Sequence, residues 1–242
     1  NVMRGGPGLG SIQPSQADYF QATRGGGNGD YRTPVLAPAN LQEAVDLVQE
    51  AFDIADQYRT PVVVLADGLI GQMMEPIVWK EHKQRPLPPK DWASSGRGDR
   101  DHNNFIHSLL IDAPSCEKHN EELLKIYAEI EKNEVRWEEI MLEDAELVFT
   151  AYGTPARIAI TVAENLRKKG IKAGVFRPIT LWPFPYARLR EIAEPASGTV
   201  FLDVEMSAGQ MVEGVKLAVG GREPIELPGR LGGMVQALSE NE

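Results

Sequence analysis

The sequence predicts an α/β fold whose second half is a doubly wound parallel sheet, and three observations carry that reading. Apolar runs of strand length alternate with capped amphipathic helices over residues 33–67. The same alternation returns at residue 145 and continues to residue 219. The run Val62-Val63-Val64-Leu65 is unbroken rather than alternating, the pattern of a parallel strand covered on both faces.

Taken in order, the chain opens on NVMRGGPGLGSIQPSQADYFQATRGGGNGDYR, a glycine-rich stretch that should follow a strand. Its start on Asn1, inside a loop and without an initiator Met, raises the expectation that this is the C-terminal part of a longer polypeptide. Residues 33–67 then read as strand, helix, strand. Leu41, Ala44, Val45, Val48, Ala51, Phe52 and Ala55 recur three and four apart and are expected to face the core. Asn40 caps this helix, Glu43 completes a capping box, and Pro61 forbids continuation.

Between Trp79 and Ala113 the pattern dissolves into KEHKQRPLPPKDWASSGRGDRDHNN, which reads as a crossing segment between domains. Structureless stretches beyond about 15 residues are usually functional or packed over a partner. Residues 115–142 predict one long charged helix, with an imperfect stripe of Leu123, Leu124, Tyr127, Ile130, Val135, Trp137, Ile140 and Met141 clamping one domain to another.

From Ala145, ELVFTAYG is a strand ending at Gly153, with Thr154 and Pro155 at cap and first-turn positions. Ile158, Ala159, Val162, Ala163 and Leu166 form an apolar face, and Lys168, Lys169 and Gly170 close the helix. A strand IKAGVF, a helix over 186–193, a strand TVFLDVE and a helix over 210–219 complete the unit. The expected divisions are 1–78, 79–144 and 145–242.

Composition narrows the function. Asp and Glu number 35 against 25 Lys and Arg, and the net charge of -10 speaks against a nucleic-acid groove or an anionic membrane surface. No apolar run approaches the roughly 18 to 20 residues that cross a bilayer, and the residues from Asn1 onward do not show the charged-then-apolar pattern expected of a signal. The single cysteine, Cys116, forms no internal disulfide, which fits a reducing cytoplasm.

RGGPGLG is not a dinucleotide fingerprint, because Gly6, Gly8 and Gly10 follow G-x-G-x-G with Pro7 inside. Its glycines let the backbone approach a ligand closely, and Arg4 offers a planar fork for a carboxylate or phosphate. The plainer reading is a surface turn with a solvated arginine. His102 and His107, near Asp99, Asp101 and Asp112, match no metal-ligand spacing and read as solvated. Cys116 has no paired base. Asp203 and Glu205 end a parallel strand, where α/β folds place ligands, yet such carboxylates are commonly loop anchors. RPITLWPFP reads as packing, since proline and aromatic side chains supply area at little entropic cost.

Taken together, NVMRGGPGLGSIQPSQADYFQATRGGG, NGDYR, VLAPANLQEAVDLVQEAFDIADQYRTPVVVLADGLIGQ, the AYGTPARIA turn and RPITLWPFP resemble the alpha-type subunit of 2-oxoacid:ferredoxin oxidoreductases. The 2-oxoisovalerate, branched-chain type is the nearest match, over nearly the whole chain and most weakly across 80–115. The resemblance implies the C-terminal part of a pyrimidine-type thiamine diphosphate domain in 1–78, a crossing linker and charged helix in 79–144, and a transketolase C-terminal-like domain in 145–242. It also implies a cytoplasmic hetero-oligomer of anaerobic metabolism that decarboxylates a 2-oxoacid to acyl-CoA and reduces ferredoxin. A beta-type partner subunit supplies the diphosphate and magnesium half, iron-sulfur clusters lie on partner subunits, and coenzyme A is co-substrate.

In that family the loop reads R-x-G-P-S-T-G-x-P-T, and its arginine holds the substrate carboxylate, a role that falls on Arg4. Gly8 and Leu9 replace the central Ser-Thr, Ile12 replaces the second Pro, and Gln13 replaces the last Thr, near the oxo group. Lost hydroxyls and added Leu9 and Ile12 suit an apolar acyl chain. The glutamate that activates the aminopyrimidine is expected upstream of Asn1, so no catalytic or metal-binding residue is expected within these 242 residues, and alone they should be inactive. Two other readings stay open: a non-catalytic assembly module, and the beta subunit of a lipoamide-linked 2-oxoacid dehydrogenase.

Overall fold

A computed structural model describes residues 1–193, 198–220 and 225–226. The first part of the chain contains β1 (Val2–Met3), α1 (Tyr19–Arg24), β2 (Val35–Leu36), α2 (Leu41–Tyr58), β3 (Val63–Val64) and β4 (Ala66–Asp67). After a long segment without regular structure come α3 (Ala113–Asn133) and β5 (Trp137–Ile140). The remainder comprises β6 (Leu147–Ala151), α4 (Gly153–Lys168), β7 (Ala173–Pro178), β8 (Thr180–Trp182), α5 (Tyr186–Ala193), β9 (Val200–Val204), α6 (Met211–Val219) and β10 (Ile225–Glu226).

The second half is a five-stranded sheet ordered β10-β9-β6-β7-β5. Its strands are parallel except β5, which closes one edge antiparallel to β7. Its helices follow the strands as the alternation predicts. Two smaller sheets lie in the first half: β1 pairs parallel with β4, and β2 lies between β3 and β8. The β2–β3 pair is parallel and joined through α2, so the β-α-β unit stands as read. The β2–β8 pair is antiparallel, and through it RPITLWPFP enters the first sheet. Thr180, Leu181, Trp182 and Phe184 are buried, the packing role expected of that segment. One apolar cluster consequently runs through both halves, from Met3, Leu36 and Ile54 to Phe176, Leu181 and Leu189. Residues 227–242 of the expected last division lie outside the described residues.

Four local expectations need correction. On α2 the buried side is Leu47, Ile54 and Tyr58, whereas Val48 and Phe52 are 45% and 71% exposed. The helix carries two apolar stripes, and the sheet covers the shorter one. The charged helix ends at Asn133, not 142, because buried Glu134 turns inward to the Tyr58 hydroxyl (3.0 Å) and the Arg85 guanidinium, and Trp137–Ile140 then extends along β7. Val62, Val63 and Val64 are half-buried because β3 is an edge strand. The α4 cap is Tyr152, with Thr154 and Pro155 already inside the helix.

The Asn40 cap forms as read: its Oδ1 accepts from the Glu43 backbone N–H at 2.8 Å. Glu43 reaches back to the N–H of Ala39 (2.9 Å) instead of Asn40, and also takes both arms of the buried Arg177 guanidinium (2.9 and 3.0 Å).

The segment after β4 runs along α2 before it leaves it. Gln42 holds Val78 (2.7 Å), Asp53 holds the His82 ring (2.8 Å), Asp56 holds Lys90 (2.6 Å), and Arg59 stacks on Trp92. Burial alone would raise the Asp53 carboxyl, but the Arg85 N–H and His82 outweigh it and hold it below the usual range. Beyond Trp92 the anchors to α2 stop. Limited trypsin digestion is therefore expected to cut first after Arg97, between Gly96 and Gly98, and only later after Lys80 or Lys83. A first cut inside α4 would contradict this picture.

Candidate functional site

The glycine loop closes on itself. Arg4 bridges to Pro14, the Gly5 N–H donates to the Gln13 carbonyl at 2.8 Å, and the Ser11 N–H returns to the Gly5 carbonyl at 2.8 Å. Gly10 makes this closure possible: its φ is +56°, and a Cβ there would stand 1.9 Å from the Gly5 carbonyl oxygen. The Arg4 guanidinium folds over the loop, and its Nη1 donates to the carbonyls of Leu9 and Ser11. At the neck the Arg4 backbone thus faces Pro14 and the Gly5 backbone faces Gln13, while Gly8, Leu9 and Ile12 project at the tip. Leu9 and Ile12 are 89% and 81% exposed, an apolar tip that none of the described residues covers.

Both legs of the loop are anchored. The entry leg is β1, and β4 beside it ends in the buried Asp67. Asp67 Oδ1 accepts from the N–H groups of Leu69 (3.0 Å) and Ile70 (3.2 Å) and from the Thr154 hydroxyl (2.8 Å). Its Oδ2 accepts from the Thr154 N–H at 2.8 Å, so a carboxylate of the first half caps α4 from outside, where the Tyr152 side chain makes no cap bond. Gly153 is required there, with φ +60° and room for no Cβ, which would lie 2.7 Å from Asp67 Oδ2.

The exit leg, Ser15 to Phe20, enters the crevice at the carboxyl ends of β6 and β9. Gln16 is fully buried and pairs with Met206 twice, N–H to carbonyl at 2.8 Å and Oε1 from the Met206 N–H at 3.0 Å. Its Nε2 donates to the Tyr152 carbonyl at 2.9 Å. The Ser15 hydroxyl donates to the Met206 carbonyl at 3.2 Å. Gln210 receives the Phe20 N–H at 2.8 Å and donates to the Ala17 carbonyl at 2.7 Å.

The strand-end carboxylates have internal partners. Glu205 takes the Ser207 hydroxyl (2.6 Å) and the N–H groups of Gln210 (2.9 Å) and Met211 (3.2 Å), which makes it the anchor of α6. Asp203 accepts from Thr150 Oγ1 at 2.6 Å, and its Oδ2 has no hydrogen-bond partner among the described residues. Burial, with repulsion from Glu205 second, pushes the Asp203 carboxyl well above the usual range. Burial likewise pushes the Tyr152 and Tyr19 hydroxyls up, so both remain neutral.

The remaining motifs gather no site among the described residues. His102 lies exposed beside Asp101, and the His107 ring accepts from the Leu109 N–H at 3.1 Å. Among the described residues no three His, Cys, Asp or Glu side chains converge as a metal site. Cys116 touches Asn120 at 3.7 Å. A cleft of about 500 Å³ between α2 and residues 80–85 is lined by both signs of charge, including Asp46, Glu50, Lys80 and Lys83. Sequence reasoning missed Gln16, Asp67 and Gln210. Only Asp67 had a visible signal, as an acid ending an apolar strand run before glycine.

Known proteins resemble the chain along nearly its whole length. Residues 1–138 match the family described as "Pyruvate flavodoxin/ferredoxin oxidoreductase, thiamine diP-bdg", and residues 145–240 match "Pyruvate:ferredoxin oxidoreductase core domain II". The ketoisovalerate oxidoreductase subunit VorB of Methanothermobacter marburgensis is 48% identical over 99% of this chain and 67% of its own length. The 2-oxoglutarate synthase subunit KorA of the same organism is 31% identical over 99% of this chain and 70% of its own. A solved 2-oxoglutarate:ferredoxin oxidoreductase from Magnetococcus marinus, with 2-oxoglutarate, coenzyme A and succinyl-CoA bound, superposes with a TM-score of 0.75 at 19% identity. That likeness is one of fold, over 96% of this chain and 45% of the solved one. No helix among the described residues is long and apolar enough to cross a membrane.

Proposed function

The chain belongs to the pyruvate flavodoxin/ferredoxin oxidoreductase family, and on that footing we propose that it is part of the alpha-type, pyrimidine-side subunit of a 2-oxoacid:ferredoxin oxidoreductase. The reaction is oxidative decarboxylation of a branched-chain 2-oxoacid with coenzyme A, giving acyl-CoA and carbon dioxide and passing two electrons to ferredoxin. The observation that carries this reading is the higher identity to a ketoisovalerate oxidoreductase subunit than to a 2-oxoglutarate synthase subunit, over the same share of the chain. The relatives named are oxidoreductase and synthase subunits, and nothing among them favours an assembly module or a lipoamide-linked dehydrogenase.

Thiamine diphosphate, when bound, supplies the electron sink for carboxylate loss. This chain fits it as a half-site. The buried carboxylates Asp67 and Glu205 are committed to helix caps, and Asp203 is enclosed against the Thr150 hydroxyl. None is assigned to the aminopyrimidine. Magnesium and the diphosphate fall to a beta-type partner, and the iron-sulfur clusters to a further subunit that hands electrons to ferredoxin. The compartment that fits is the cytoplasm.

The chain's own contribution is substrate placement. Arg4 exchanges its contacts with the carbonyls of Leu9 and Ser11 for the charge-assisted pair with the substrate carboxylate. Gln13 stands at the neck, where its amide can donate to the oxo group. Gly8 leaves room beside Leu9 and Ile12, whose exposed side chains take the branched acyl chain and exclude water from it once the partner closes over the tip. Residues 1–78 are the pyrimidine-type part, 79–144 the crossing segment and 145–242 the transketolase C-terminal-like part.

The test is ferredoxin reduction by the complete subunit assembled with its partners, given 2-oxoisovalerate, 2-oxoglutarate or pyruvate. The branched substrate should lead in kcat/KM by roughly ten- to a hundredfold, the range an apolar pocket can discriminate. Preference for 2-oxoglutarate would overturn the branched-chain assignment, and no coenzyme A-dependent activity on any of the three would overturn the reading.

A further inference from the structure

In doubly wound α/β sheets the crevice at the carboxyl ends of the strands, where helices depart in opposite directions, is the usual place for a ligand. Here that crevice, between β6 and β9, is filled from within. Ser15 and Gln16 occupy it, both essentially inaccessible to solvent. The Gln16 amide is engaged at both ends, its oxygen accepting from the Met206 N–H (3.0 Å) and its nitrogen donating to the Tyr152 carbonyl (2.9 Å). A single side chain therefore spans the two strand ends.

We propose that the strand-end crevice of the second sheet is a socket for the glycine loop, and that Gln16 is a positioning residue for Arg4. The inference rests on the reading of Arg4 as the carboxylate-binding group. The loop closes through its own backbone at the neck, and its exposed tip is braced by no other described element, so its orientation is set by its legs. The neck ends at Pro14, and Gln16 is the second residue beyond it. Gln210 grips the same leg further out, on Ala17 and Phe20. Hydrogen bonds at both ends of one buried amide fix direction as well as distance, which a purely apolar plug does not do.

A double-mutant cycle in the complete, assembled enzyme tests this. Wild type, Arg4→Ala, Gln16→Met and the double variant are compared for kcat and KM, with the branched 2-oxoacid and coenzyme A each varied in turn. Gln16→Met keeps length and apolar bulk while removing the amide contacts. It is expected to raise the 2-oxoacid KM about three- to tenfold, with kcat and the coenzyme A KM within about twofold. The Arg4→Ala penalty should shrink by the same factor in the Gln16→Met background, because a misplaced guanidinium has less to lose.

A merely structural glutamine would lower thermal stability and the fraction of active enzyme, but would leave KM unmoved and the two penalties multiplicative. That pattern, with Arg4→Ala itself costly, overturns the positioning role and leaves the Arg4 reading standing. Neutral Arg4→Ala overturns the Arg4 reading and this inference with it. If Gln16→Met does not assemble, Gln210→Met runs through the same cycle, with coupling to Arg4 supporting the socket and multiplicative penalties overturning it.

Discussion

Arg4→Ala, in the complete subunit assembled with its partners, lowers kcat/KM for 2-oxoisovalerate about ten- to more than a hundredfold. The figure follows from the roughly 1.5 to 3 kcal/mol of a hydrogen bond to a charged group. In the structure Arg4 rests on two carbonyls of its own loop, contacts that water replaces at little cost because the loop is exposed. Its removal should therefore leave folding and assembly intact and act on substrate capture. Arg4→Lys should recover only part, since a point charge lacks the two-pronged geometry. The apparent affinity for coenzyme A should stay within about twofold, because the two substrates use different contacts. Steady-state ferredoxin reduction with each variant reads the result, and wild-type kcat/KM in Arg4→Ala would return the loop to a surface turn.

What could be read from sequence was whatever a short window contains. The Asn40 cap, the helix it opens and the stop before Pro61 all depend on residues within a turn of one another, and they appear as expected. The glycines of the loop read as room for a ligand to approach, whereas Gly10 lets the loop close on its own Gly5. The errors fall where a distant element chooses between two local options. Periodicity on α2 offers Val48 and Phe52 as readily as Leu47 and Ile54, and only the position of the sheet decides. Trp137 and Ile140 continue a helical stripe on paper, yet β7, much later in the chain, offers them an open edge. Gln16 carries no local signal of its role, and Asp67 shows only that an acid ends the strand, not which helix it caps. The partners that tie them to the second half, Met206, Tyr152 and Thr154, lie 87 to 190 residues away.

Asp67→Ala should be the most destabilising single change in the described chain's polar framework, by about 3 to 5 kcal/mol, the range for breaking a buried charged network. The carboxylate is buried and serves four donors in two elements: the N–H groups of Leu69 and Ile70 in the turn after β4, and the N–H and hydroxyl of Thr154 in the first turn of α4. Alanine leaves all four without that acceptor and removes a negative charge from a helix N-terminus. Asp67→Asn should fail in a different way. Its oxygen can serve Leu69, Ile70 and the Thr154 hydroxyl, but its NH2 then faces the Thr154 N–H, donor against donor, at a site where the carboxylate now makes a 2.8 Å bond. Thermal unfolding of the purified subunit should show a fall of about 6 to 20 °C for Ala, from roughly 2 to 4 °C per kcal/mol in a chain of this size, and a smaller fall for Asn. Because Asp67 also ends the strand that holds the loop's entry leg, residual Asp67→Asn enzyme should show a raised 2-oxoacid KM. A melting temperature within about 2 °C of wild type for Asp67→Ala would mean that water reaches these donors and that the cap does not bind the two halves together.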